Sequence, residues 1–119
     1  MTFRDIIEDM NKRDSAVTSG AIVGSDGLTV EEWHAPGDSQ DLFALCAEAA
    51  HFFRESGRIT SENSLGEGRE VFFAGDHGCV FIHRVTEGYF LVVVASNGII
   101  SGRCRFLLRQ AALLAQEIL

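Results

Sequence analysis

GCVFIHRVTEGYFLVVVASNG, residues 78–98, runs straight into IISGRCRFLLRQAALLAQEI, residues 99–118. The first part reads as two antiparallel strands joined by a tight turn at Thr86, Glu87 and Gly88. In the second part Ile100, Cys104, Leu107, Leu108, Ala111, Leu114, Ala115 and Ile118 recur at helical spacing, which predicts a long amphipathic helix lying over those strands. No nucleophile with a base, metal cluster or phosphate loop interrupts the stretch. It is an architectural signal and points to a protein that works through its surfaces.

The same reading extends toward the N-terminus. Phe3, Ile6, Ile7 and Met10 share one helix face, and Thr2 with Asp5 has the form of a capping box. Val17 to Val23 and Leu28 to Trp33 flank Gly24-Ser25-Asp26-Gly27, a turn sequence that tolerates positive φ, so a hairpin is expected. The mixed alternation of its second strand places it near a sheet edge or end. Pro36-Gly37-Asp38-Ser39 then breaks the chain, with Asp38 or Ser39 available to cap a helix that runs to about Ser56 and stops at Gly57. Glu70 to Ala74 reads as a short strand, and Gly75-Asp76-His77-Gly78 as the turn after it. The predicted order is α-β-β-α-β-β-β-α, an α+β fold with a five-stranded antiparallel sheet and helices on both faces.

The middle helix is the unusual element. Its polar residues Asp41, Glu48, His51 and Glu55 form a narrow stripe, while Leu42, Phe43, Leu45, Cys46, Ala49, Ala50, Phe52 and Phe53 fill most of the remaining circumference. One sheet does not need that much apolar surface, so a second helix is expected on the spare face.

Composition excludes several functions. The chain has 119 residues, 46% of them hydrophobic and 23% charged, with one proline, which is globular usage and the size of one domain spanning 1–119. Its longest apolar run, Tyr89 to Ala95, is far below the roughly 18 residues of a membrane span. The N-terminus lacks the pattern of a secretory signal. Three cysteines without a C-x-x-C suggest reduced thiols, and a cytoplasmic location is expected. Net charge is −7, with fourteen carboxylates against six Lys or Arg in residues 1–70, and three against four in residues 71–119. A surface of that sign disfavours nucleic acid and anionic membrane and favours a protein partner with a basic face.

Candidate chemistry is sparse. His34, His51, His77 and His83 do not pair at ligand spacing, so neither a metal site nor a general base is expected. Cys104 stands between Arg103 and Arg105, which favours a thiolate, yet it also lies on the apolar stripe of its helix and is expected to be an inert core thiol. Gly66-Glu67-Gly68 lacks the rest of a dinucleotide fingerprint. No catalytic residue and no cofactor is expected.

The ordered set AIVGSDGLTVEEW, GCVFIHRVTEGYFLVVVASN and Gly102 to Arg105 followed by Arg109, Ala111 and Ala112 resembles the Roadblock family, which includes dynein light chains and the bacterial Mgl-type polarity regulators. The resemblance covers Phe3 to Leu119. It implies a profilin-like fold and a homodimer, or a mixed dimer with a paralogous Roadblock protein, in which the third strands pair across a two-fold axis and the middle helices lie side by side. An apolar Glu70 to Ala74 edge is consistent with such pairing. Val71, Phe72, Phe73, Phe43, Ala47 and Ala50 are the expected interface residues. The resemblance further implies binding to a Ras-like small GTPase, as an activator or scaffold without an active site of its own. Asp41, Glu48, His51 and Glu55 are the surface expected to meet that partner. Two other functions compete: a PAS-like or profilin-like small-molecule sensor, against which stand the large core candidates Phe81, Phe90, Leu91 and Val93, and a hydrolase or thiol enzyme, which lacks a base paired with a nucleophile.

Overall fold

The computed structural model describes residues 1–96 and 102–119. Its elements are α1 (Phe3–Arg13), β1 (Val17–Gly24), β2 (Thr29–His34), α2 (Leu42–Glu62), β3 (Glu70–Ala74), β4 (Cys79–Thr86), β5 (Tyr89–Ala95) and α3 (Gly102–Ile118). The strands form one five-stranded antiparallel sheet, as the sequence predicts, and the structure sets their order as β2-β1-β5-β4-β3. The first apolar position of the expected last helix, Ile100, lies outside the described residues.

Strand alternation divides the core into two layers. Behind the sheet, Ile22, Phe81, Leu91 and Val93 meet Phe3, Ile6, Ile7 and Met10 of α1 and Cys104, Leu107, Leu108 and Ala111 of α3. In front, Ala21, Val23, Ile82, Phe90 and Val92 meet Leu42, Cys46, Ala49 and Ala50 of α2. Thus Phe90 fills the opposite layer from Phe81, Leu91 and Val93.

Local chemistry explains most of the boundaries. The Thr2 hydroxyl accepts the Asp5 N–H at 3.2 Å and the Asp5 carboxylate accepts the Thr2 N–H at 2.9 Å, so the capping box starts α1. That hydrogen bond holds the Asp5 carboxyl below its ordinary value. In the first hairpin Gly27 takes φ +88°, a value strained for any residue with a Cβ. Leu28 belongs to this turn, its N–H bonded to Asp26 Oδ1 at 3.0 Å, and the second strand begins one residue later than its sequence suggests.

Two expectations for α2 are corrected. Asp41 caps it, accepting the Ala44 N–H at 3.2 Å, because Asp38 is engaged elsewhere: its carboxylate lies 2.7 Å from His34 Nδ1. The helix also continues through Gly57 to Glu62. A helical glycine costs about 1 kcal/mol, and the last turn offsets it with Arg58 ion pairs to Glu55 at 3.7 Å and Glu62 at 3.1 Å and with Asn63 bonded to the Ile59 carbonyl at 2.7 Å. Gly57 is where the following loop crosses the helix; a Cβ on Gly68 would come 3.0 Å from the Gly57 Cα.

Candidate interaction surface

Simple geometry locates the open part of the molecule. Five strands about 4.8 Å apart present a face roughly 20 Å wide, and a helix with its side chains covers about 10 Å of it. Two helices cover the rear. In front, among the described residues, α2 stands alone, packed closest on β1 and β2, and the β3 side is only partly covered.

The result is a groove of about 700 Å³ between α2 and the β3 side of the sheet. Leu45 and Phe52 come from α2, Val80 and Ile82 from β4, and Phe73 from β3. Phe73 is 54% exposed and Phe52 37%; their rings meet edge to face at a centroid distance of 4.7 Å. Ile59, 65% exposed, continues the same flank of the helix. Beside the groove, β3 is hydrogen-bonded to β4 and to no other strand among the described residues. An edge strand bearing apolar side chains is a template for pairing with another chain.

The expected interface residues fall in different places. In the β3–β4 register Val71 stands opposite Ile82 and Phe73 opposite Val80, on the front, whereas Phe72 stands opposite Phe81 and packs into the rear core. Ala47 is exposed and lines the groove. Ala50 is buried, close beneath Gly27 of the hairpin turn. Phe43 is exposed on the other flank of α2, in a depression with Thr29, Val30 and Glu31. Phe43 and Phe52 are nine residues apart, two and a half helical turns, and so face opposite ways. Leu45, Phe52 and Ile59 recur every seven residues, nearly two whole turns, and that spacing is the signal that identifies the groove flank.

The polar stripe is partly committed. Asp41 is the helix cap. Glu48 and His51 are exposed and line the groove, and Glu55 lies two turns beyond Glu48, paired with Arg58. Behind the sheet, Glu70 accepts a hydrogen bond from Arg109 Nη2 at 2.9 Å and lies 3.8 Å from His83 and 3.9 Å from Arg105. The Arg109 hydrogen bond holds the Glu70 carboxyl below its ordinary value against the effect of burial, and it ties the edge strand to α3. His83 is half-buried, with Nδ1 donating to the Arg84 carbonyl at 2.7 Å.

The thiols offer little nucleophilicity. Cys46, Cys79 and Cys104 are buried, and burial pushes the Cys46 and Cys104 thiols up to about 11. The flanking arginines do not offset that desolvation at Cys104. Among the described residues no group of His, Cys, Asp or Glu is placed to hold a metal ion, and no helix is long and apolar enough to cross a membrane.

The profile of the Roadblock/LC7 domain matches residues 8–95. The chain belongs to the Roadblock/LC7 family. Its fold is similar to that of the gliding protein MglB from Thermus thermophilus, with a TM-score of 0.87 and 13% identity over 98% of this chain and 87% of that one. Myxococcus xanthus MglB is similar at a TM-score of 0.83 and 17% identity, covering 98% and 93% of the two chains. MglC from Myxococcus xanthus matches at a TM-score of 0.69 and 21% identity, over 100% of both. No curated protein matches the chain significantly. This Roadblock chain therefore shares the α+β architecture of Mgl-type proteins.

Proposed function

We propose that the chain acts as one Roadblock domain in the cytoplasm, a non-catalytic dimer that binds a Ras-like small GTPase and regulates it as an activator or scaffold. The observation that carries this reading is the open β3 edge, with Phe73 projecting beside an apolar groove flanked by Leu45 and Phe52. Pairing of β3 with the β3 of a second copy, or of a paralogous Roadblock chain, satisfies the edge backbone. It also brings a second α2 over the groove and covers Phe52 and Phe73. Val71, Phe73 and Ala47 retain their place in this interface, and Leu45 and Phe52 join them.

The paired α2 helices then present Glu48, His51 and Glu55 as a polar platform. Family membership and the Mgl-type neighbours support a GTPase as its occupant. In this mechanism the platform grips the switch region and favours its hydrolysis-competent arrangement, so acceleration comes from a shift in the partner's population. A small-molecule sensor has less support, because large side chains from β4 and β5 fill both layers of the sheet.

The test has two parts. Sedimentation at micromolar concentration and about 0.5 M salt, where exposed charge pairs are screened, is expected to give twice the 13.0 kDa chain mass, and a 13 kDa monomer rejects the strand pairing. Capture of the cognate GTPase is expected to depend on whether it carries GTP or GDP; capture independent of nucleotide, or none, rejects regulation.

A further inference from the structure

Helix α3 is apolar on two sides. Its inward side, including Cys104, Leu107, Leu108 and Ala111, is buried in the rear core. Its outward side carries Phe106, 58% exposed, and Leu113, 66% exposed, seven residues apart and hence on one line. Apolar residues around both sides mark a helix with a second partner. Arg103, Arg105 and Arg109 flank that line, and residues 102–116 contain no carboxylate in a chain of net charge −7.

A surface of opposite charge and matching period exists on α2. Glu48, Glu55 and Glu62 are exposed and recur every seven residues, with the exposed Ile59 among them. Seven residues advance a helix about 10 Å and the six from Arg103 to Arg109 about 9 Å, so the cations and carboxylates fall in step along parallel or antiparallel axes. Glu55 and Glu62 are paired with Arg58 of their own helix, but exposed pairs of this kind exchange at little cost. Arg109 gives one nitrogen to Glu70 and keeps further donors.

We propose that the Phe106–Leu113 ridge of one copy docks on the Glu48–Glu62 row of another, arginines against glutamates and apolar ridge against Ile59. The two surfaces lie on opposite faces of the sheet. The contact is therefore head to tail: a two-fold does not close it, and it adds copies beyond the β3-paired dimer. On the GTPase reading above, on which this consequence alone rests, the docked ridge hides Glu48 and Glu55, and the assembled form does not take the partner.

Light scattering at about 0.05 M and about 0.5 M salt tests the contact, since exposed charge pairs are screened over that range. The wild-type chain is expected to exceed twice 13.0 kDa at low salt and to fall back at high salt. Phe106→Asp, at an exposed position that leaves the core intact, is expected to lose the larger species. Neither Arg103→Glu/Arg105→Glu nor Glu48→Arg/Glu55→Arg assembles alone, and an equal mixture of the two regains the larger species. Wild-type protein that never passes the dimer mass overturns the proposal, as do larger species unaffected by Phe106→Asp or a mixture that fails to recover. A monomer that still forms Phe106-dependent, salt-sensitive assemblies instead rejects β3 pairing and leaves this contact standing.

Discussion

Behind the sheet, α1 and α3 lie in contact and close a layer containing Ile7, Leu91, Leu108 and Ala115; in front, α2 alone closes a smaller layer and leaves Phe52, Phe73 and Ile59 exposed. The difference follows from widths. Two helices span a five-stranded sheet and one does not. Cohesion of the monomer accordingly concentrates behind the sheet, and uncovered apolar surface in front.

This contrast is tested most strongly in the rear core. Leu108 is 1% exposed in that layer, and Leu108→Ala is expected to cost about 2–5 kcal/mol. Urea denaturation with an unchanged m-value checks it. If the loss is below ~1 kcal/mol, the rear layer does not dominate cohesion.

A change in front is expected to act on association instead. Phe73→Asp removes an exposed ring and places a charge on the β3 edge, weakening the dimer by about 2 kcal/mol or more, roughly 30-fold. Dilution measured by sedimentation reads it, and far-UV circular dichroism is expected to remain that of the wild type. Unfolding at this position would show that the front groove is part of the monomer core.

Smaller effects refine the rear side. Thr2→Ala deletes one half of the capping box of α1 and is expected to cost about 1 kcal/mol, read by thermal or urea unfolding. Glu70→Gln is expected to cost only a few tenths of a kcal/mol near neutrality, because its arginine partners are about half exposed to solvent. The pH dependence identifies the source. The Glu70 carboxyl is held below its ordinary value of 4.5, so its contribution is full above pH 4.5 and is lost as pH falls through the lowered folded-state value. The stability difference between wild type and Glu70→Gln is expected to vanish at that acidic end. A difference that persists there assigns the effect to packing.

Much of the molecule was legible because local chemistry carried it. The capping box at Thr2 and Asp5, the Asp26-Gly27 turn and the strand-to-strand spacing from Cys79 to Ala95 each depend on neighbours in the chain, and the element order follows from them. The end of α2 was not legible at Gly57, since glycine propensity says stop while Arg58, Asn63 and the crossing Gly68 allow the helix to continue. Nor was its cap. Asp38 has the right residue type, but His34 already holds its carboxylate.

The interaction surface divides the same way. That α2 carries more apolar surface than one sheet requires is visible in its residues, and so is the charge split between the two halves of the chain. Which apolar residues remain uncovered is a matter of where α2 sits across the strands. Its position over β1 and β2 buries Ala50, turns Phe43 to the far flank and opens Leu45 and Phe52 toward Phe73. Periodicity specifies a helix face, whereas exposure depends on the width of the sheet beneath it, and only the folded chain sets that width against the helix.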